Sequence, residues 1–134
     1  MAWTAIPSFL FVDHDPLWLA ALRRASRDLP CPKHFARSAE EALALVEELT
    51  PSVVVSCYGM PEGDGLTLLE QIRDENPTVG CVLHTATPAK MLRGAPGIAL
   101  VEKSAQPKVL EAVLRSLWIA VTGRFPPPPG RGTG

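Results

Sequence analysis

The stretch Phe9-Leu10-Phe11-Val12-Asp13-His14-Asp15-Pro16 decides the fold. Four consecutive apolar residues read as a short strand buried on both faces, since a half-exposed strand would alternate polar and apolar side chains. Asp15 followed by Pro16 reads as a helix start. The carboxylate caps free backbone N–H groups, and proline suits the first helical position, where a missing N–H breaks no bond. Leu19, Leu22, Ala25 and Leu29 continue at roughly helical spacing, which predicts a helix from about Pro16 to Asp28.

The same alternation repeats along the chain. A weak strand is expected around His34-Phe35-Ala36, and Ser38 with Glu41 forms a capping box that opens a second helix, running to about Leu49. Val53-Val54-Val55 is a second run typical of a buried strand. Asp64-Gly65 opens an amphipathic helix through Leu66, Leu69 and Ile72. Cys81-Val82-Leu83-His84 is strand 4, Ala99-Leu100-Val101 is strand 5, and a last helix runs from Pro107 to about Val121. Strands alternating with helices imply parallel pairing through right-handed crossovers, with helices on both faces of an open α/β sheet. Sites in such sheets lie outside the carboxyl ends of the strands, here Asp13, His14, Cys57, Thr85 and Lys103.

The bulk numbers narrow the function classes. A chain of 134 residues with 46% apolar content suits one domain, expected over 1–122, and the Pro/Gly-rich stretch 123–134 is expected to be an extended or disordered tail. A net charge of -1 with scattered Lys and Arg gives no basic footprint for nucleic acid. No apolar run approaches the roughly 18 residues of a membrane span, so no membrane partner and a cytoplasmic location are expected. Cys31, Cys57 and Cys81 are odd in number and lack CxxC spacing, which argues against a disulfide framework and a zinc ribbon.

Phe9 to Pro16, Met60-Pro61-Glu62-Gly63-Asp64-Gly65, Thr85-Ala86 and Glu102-Lys103 together resemble the ordered signatures of bacterial two-component response-regulator receiver domains. The resemblance spans about Ser8 to Leu117. It implies a flavodoxin-like, five-stranded parallel sheet of order 2-1-3-4-5. In that family a carboxylate three residues before the Met-Pro pair accepts a phosphoryl group, and two acids after strand 1 help it to hold Mg²⁺. Here the acceptor position is Cys57 and the acidic pair reads Asp13-His14. Thr85 and Lys103 match the family's phosphoryl-binding hydroxyl and amine. Thiol and imidazole are poor ligands for Mg²⁺, which prefers hard oxygens, so no cofactor and no Mg²⁺ site are expected.

Other departures from the family pattern concern its switch. Its lysine is usually followed by a cis proline, whereas Lys103 precedes Ser104, where a cis bond would cost about 2.5–4 kcal/mol. Leu100 stands where the family usually has an aromatic that rotates on activation. The segment between strands 4 and 5 is short and contains Pro88, Gly94, Pro96 and Gly97, so helix 4 is expected to be short or irregular.

Each of these residues also has a plain structural reading. Cys57 is either a small apolar filler or a responsive thiol; His14 either joins Asp13 and Cys57 around a metal or projects into solvent. Lys103 is expected to pair with Asp13. Trp118 and Ile119 extend the last helix and, with Leu100, form an expected interface for a protein partner or a homodimer; the alternative is packing on Trp3 and Ile6. The sequence therefore favours a non-enzymatic, phosphorylation-independent interaction module of the receiver type. The alternative is a cysteine-based redox or metal sensor at the former phosphorylation site.

Overall fold

The computed structural model describes residues 7–126. Strands β1 (Phe9–Val12), β2 (Lys33–Ala36), β3 (Val53–Ser56), β4 (Gly80–Thr85) and β5 (Ile98–Glu102) form one sheet. All pairs are parallel, in the order β2-β1-β3-β4-β5. Helices α1 (Pro16–Ala25), α2 (Ala39–Leu49), α3 (Gly65–Glu75) and α4 (Pro107–Thr122) follow β1, β2, β3 and β5. Gly59–Met60 and Gly63–Asp64 pair as a small antiparallel ribbon between β3 and α3.

The central strands are buried on both faces, as their unbroken apolar runs require. Leu10, Val12, Val54 and Leu83 face Val46 of α2 and Leu69 and Ile72 of α3. Phe9, Phe11, Val53, Val55 and Val82 face Leu19 and Leu22 of α1 and Leu110, Leu114 and Trp118 of α4. The helix starts use the expected caps. Asp15 Oδ1 accepts from the Leu17 amide, Ser38 Oγ from the Glu41 amide and Asp64 Oδ1 from the Thr67 amide. Glu41 reaches back one residue past the cap, accepting from the Arg37 amide, so the expected reciprocal bond to the Ser38 amide is replaced by one to its neighbour.

Two expectations need correction, and one feature was unforeseen. Helix 1 stops at Ala25 and not at Asp28; Leu29 still reaches the core because residues 26–29 turn, with the Leu29 amide donating to Ser26 O. The ribbon at 59–64 was not legible as strand pairing. Trp118 is not a surface residue: it is 7% exposed and belongs to the core between the sheet and α4. Its spacing from Leu110 and Leu114 puts it on the buried helical stripe. Of the expected interface residues, Leu100 and Ile119 are exposed, at 43% and 37%. Trp3 and Ile6 lie outside the described residues, as do residues 127–134 of the expected tail; Gly123 closes α4 in the left-handed conformation.

The connection from β4 to β5 carries one 3₁₀ turn, Ala89–Met91, in place of a fourth crossover helix. Arg93 pins it to α3 through two bonds to Glu70, and Arg73 donates to Pro96 O. Leu92 and Ala95 supply apolar cover to the sheet below. This strap is too short to shield Leu100, which leaves the edge strand β5 partly open. No helix among the described residues is long and apolar enough to cross a membrane.

Candidate functional site

Parallel register brings the strand ends to one edge of the sheet. Val12 is level with Ser56, and Thr85 with Glu102. The pairing continues one residue further: the Cys57 amide donates to Val12 O at 2.9 Å, the Asp13 amide to Ala36 O at 3.0 Å and the Lys103 amide to Thr85 O at 2.9 Å. Asp13, Cys57 and Lys103, far apart in sequence, are thereby fixed around one pocket.

Asp13 is completely buried, and its carboxylate is held from two sides. Oδ1 accepts from the Asp15 amide at 2.9 Å, and Oδ2 lies 2.9 Å from Lys103 Nζ. The second contact is a close ion pair without hydrogen-bond alignment, so Oδ2 accepts no hydrogen bond among the described residues. The Lys103 ammonium also sits 4.8 Å from the centroid of the Trp18 ring, whose electron-rich face favours a cation. Among the described residues no peptide is cis, so the Lys103–Ser104 link is trans.

Cys57 is buried, and its Sγ donates to Gly59 O at 3.2 Å. Burial pushes the thiol pKa up; the His14 backbone pulls it down, Asp13 raises it further and Lys103 lowers it. Burial prevails, which leaves a protonated thiol at neutral pH. The His14 side chain is 52% exposed and its Nδ1 lies 3.8 Å from Asp13 Oδ1 and 4.0 Å from Cys57 Sγ. One donor atom from each of the three residues falls within 4.8 Å of the others. Thr85 is buried, and its Oγ1 accepts from the Thr87 amide at 3.0 Å, so the hydroxyl caps the loop after β4.

His84 had no discernible role in the sequence, yet it packs on Trp18, the same ring that the Lys103 ammonium meets. It is 2% exposed, meets Trp18 edge to face at 5.4 Å, and its Nε2 has no partner among the described residues. Burial, and after it Lys103, lower its pKa to about 4 against the opposing pull of Asp13. The unfolded imidazole titrates near 6.5, so between these values the unfolded chain binds more protons and stability falls as the pH is lowered. The contribution is fully present above about pH 6.5 and gone by about pH 4, and is worth on the order of 3 kcal/mol. Denaturant titrations across this range are expected to give a flatter pH dependence for His84→Leu; an unchanged slope would rule His84 out as its source.

A buried acid, a lysine and a hydroxyl converging at the carboxyl edge of this sheet are the arrangement of the receiver modules of two-component signalling. A family model for the response regulator receiver domain matches residues 9–114, and the chain belongs to that family. The signal receiver domain of an HD domain-containing protein from Pseudomonas fluorescens Pf-5 is 28% identical, with a TM-score of 0.79 over 92% of this chain and 94% of that one. A CheY-like receiver domain protein from Methanospirillum hungatei JF-1 shares the fold at 19% identity, with a TM-score of 0.74 over 89% of this chain and 98% of that one. An uncharacterized 14.6 kDa protein from Leptolyngbya boryana is 38% identical over 65 residues, 48% of this chain. That match spans 50% of the curated relative's length.

Proposed function

We propose that this chain is a pseudo-receiver: a non-enzymatic protein-interaction module of two-component signalling that works without phosphorylation. The observation that carries this reading is Cys57, a buried thiol at the end of β3 where receiver chemistry needs a carboxylate nucleophile. A thiol there cannot form the acyl phosphate. The donor set also disagrees with Mg²⁺, which asks for several oxygens in near-octahedral geometry. Asp13 is the one carboxylate of the set Asp13, His14 and Cys57. Thr85 and Lys103 are then remnants that now serve folding, one as a loop cap and one as the counter-ion of a buried acid.

A partner surface set by folding alone fits the exposed apolar residues Leu100 on β5 and Ile119 on α4. An open strand edge beside apolar side chains is a common starting point for association. The redox alternative is weakened by burial, which keeps Cys57 from the thiolate form that reacts with oxidants.

The test is labelling with acetyl phosphate and titration with beryllofluoride, both with Mg²⁺. The wild-type chain is expected to take no label and to show no beryllofluoride-dependent change in its amide spectrum. Stoichiometric labelling would overturn the reading. Cys57→Asp, labelled in parallel, reports whether the nucleophile alone was lost.

A further inference from the structure

Asp13, His14 and Cys57 present a carboxylate, an imidazole and a thiol to one point, and we propose that they form a site for a borderline divalent cation such as Zn²⁺. The inference goes beyond the interaction role and does not need it. Zn²⁺ is held by oxygen at about 2.0–2.2 Å, imidazole nitrogen at about 2.0–2.1 Å and thiolate sulfur at about 2.3 Å, so tetrahedral donors stand roughly 3.3–3.7 Å apart. The observed separations are 3.8 Å from His14 Nδ1 to Asp13 Oδ1 and 4.0 Å from His14 Nδ1 to Cys57 Sγ, with all three donors within 4.8 Å. Small movements close the set. His14 can make them, because its side chain is half exposed on the loop after β1 while its two partners are anchored in the sheet edge.

A second observation points to the same place. Asp13 is completely buried, yet its Oδ2 accepts no hydrogen bond among the described residues and is balanced by an ion pair. Lys103 satisfies the charge at Oδ2, while Oδ1 accepts only the Asp15 amide and keeps a lone pair for a second partner on the side that His14 approaches. Lys103 does not fill the site, because it approaches Oδ2 while His14 lies toward Oδ1. One carboxylate can therefore join the ammonium on one oxygen and the metal on the other, as second-shell groups commonly support metal ligands. On binding, the Cys57 S–H bond breaks, its proton passes to solvent, and the sulfur–metal bond forms. Solvent water completes the coordination. The combination of sulfur, nitrogen and a single carboxylate selects Zn²⁺ over Mg²⁺.

Cobalt(II) is the probe, added to the full chain kept reduced with a phosphine. A thiolate-to-cobalt charge-transfer band and the intense visible bands of a tetrahedral ion are expected at one equivalent. Zn²⁺ should bleach them, and a hundredfold excess of Mg²⁺ should leave them unchanged. Cys57→Ala should abolish the charge-transfer band, whereas Cys31→Ala should retain it. His14→Ala, which removes a half-exposed side chain and leaves the core untouched, should weaken binding by at least about a hundredfold, beyond the roughly 10–100-fold loss typical of outer-shell changes. A band that survives Cys57→Ala, full affinity in His14→Ala, or failure of cobalt to bind would each overturn the site. None of these outcomes depends on whether the wild-type chain accepts phosphate.

Discussion

Trp118→Ala is expected to destabilise the fold by about 3–5 kcal/mol, the usual range for deleting a buried aromatic. Trp118 is 7% exposed and packs in the cluster that joins Phe9, Val53 and Val82 of the sheet to Leu110 and Leu114 of α4. Truncation leaves a void between α4 and the sheet that the rigid β1 and β3 backbones cannot collapse to fill. In a domain of this size each kcal/mol lowers the melting temperature by roughly 4–8 °C at the smaller end, or about half that at the larger. The indole Nε1 has no hydrogen-bond partner among the described residues, so Trp118→Phe removes an unsatisfied donor along with part of the volume. That variant should recover most of the loss. Calorimetric melting of the three proteins decides the matter. If Trp118→Ala melted like the wild type while losing self-association, the residue would belong to an interface after all.

The contrast between Trp118 and the strand runs explains what the sequence could reveal. Phe9 to Val12 and Val53 to Val55 are apolar at every position, the pattern of a doubly covered strand, so the central strands were readable, while their order came from the resemblance to receiver domains. Strand ends in a parallel sheet meet at one edge, which places Asp13, Cys57 and Lys103 together from the sequence alone. Helical residues carry less information because one position can face either solvent or sheet. The stripe through Leu110, Leu114 and Trp118 was present in the spacing, but the position of Trp118 near the end of the last helix outweighed it. His84 was hidden for a different reason. Its partner Trp18 comes from α1, and no spacing rule links a strand residue to a helix that begins 68 positions earlier. The short strap between β4 and β5 was legible as irregular from its prolines and glycines, but its anchoring by Arg93 to Glu70 was not.

Gly65→Ala is expected to be the most damaging glycine-to-alanine change among the described residues. A Cβ at this position would stand 1.7 Å from Cys57 O and 2.7 Å from Ser56 Oγ, distances that no side-chain rotation can relieve because the nearest atom is backbone. The Gly65 amide also donates to Tyr58 O at 2.6 Å, so α3 starts hard against the turn that leaves β3. Relief requires α3 to recede from the sheet or the Cys57 peptide to rotate. The first opens the contacts of Leu66, Leu69 and Ile72; the second breaks the bond from Ser56 Oγ to Cys57 O. Either outcome belongs to the exceptional class of substitutions, above about 4 kcal/mol. Gly59→Ala supplies the comparison, since a Cβ there meets nothing within 4 Å and its cost should stay within about 0.5 kcal/mol. Urea midpoints of the two variants measure the difference, and equal midpoints would mean that α3 retreats freely. Cobalt binding adds a local reading. A Gly65→Ala protein that relieves the clash through the turn after Cys57 displaces Gly59 O, the acceptor of Sγ, and should lose the thiolate band; one that relieves it through α3 should keep the band, as Gly59→Ala does.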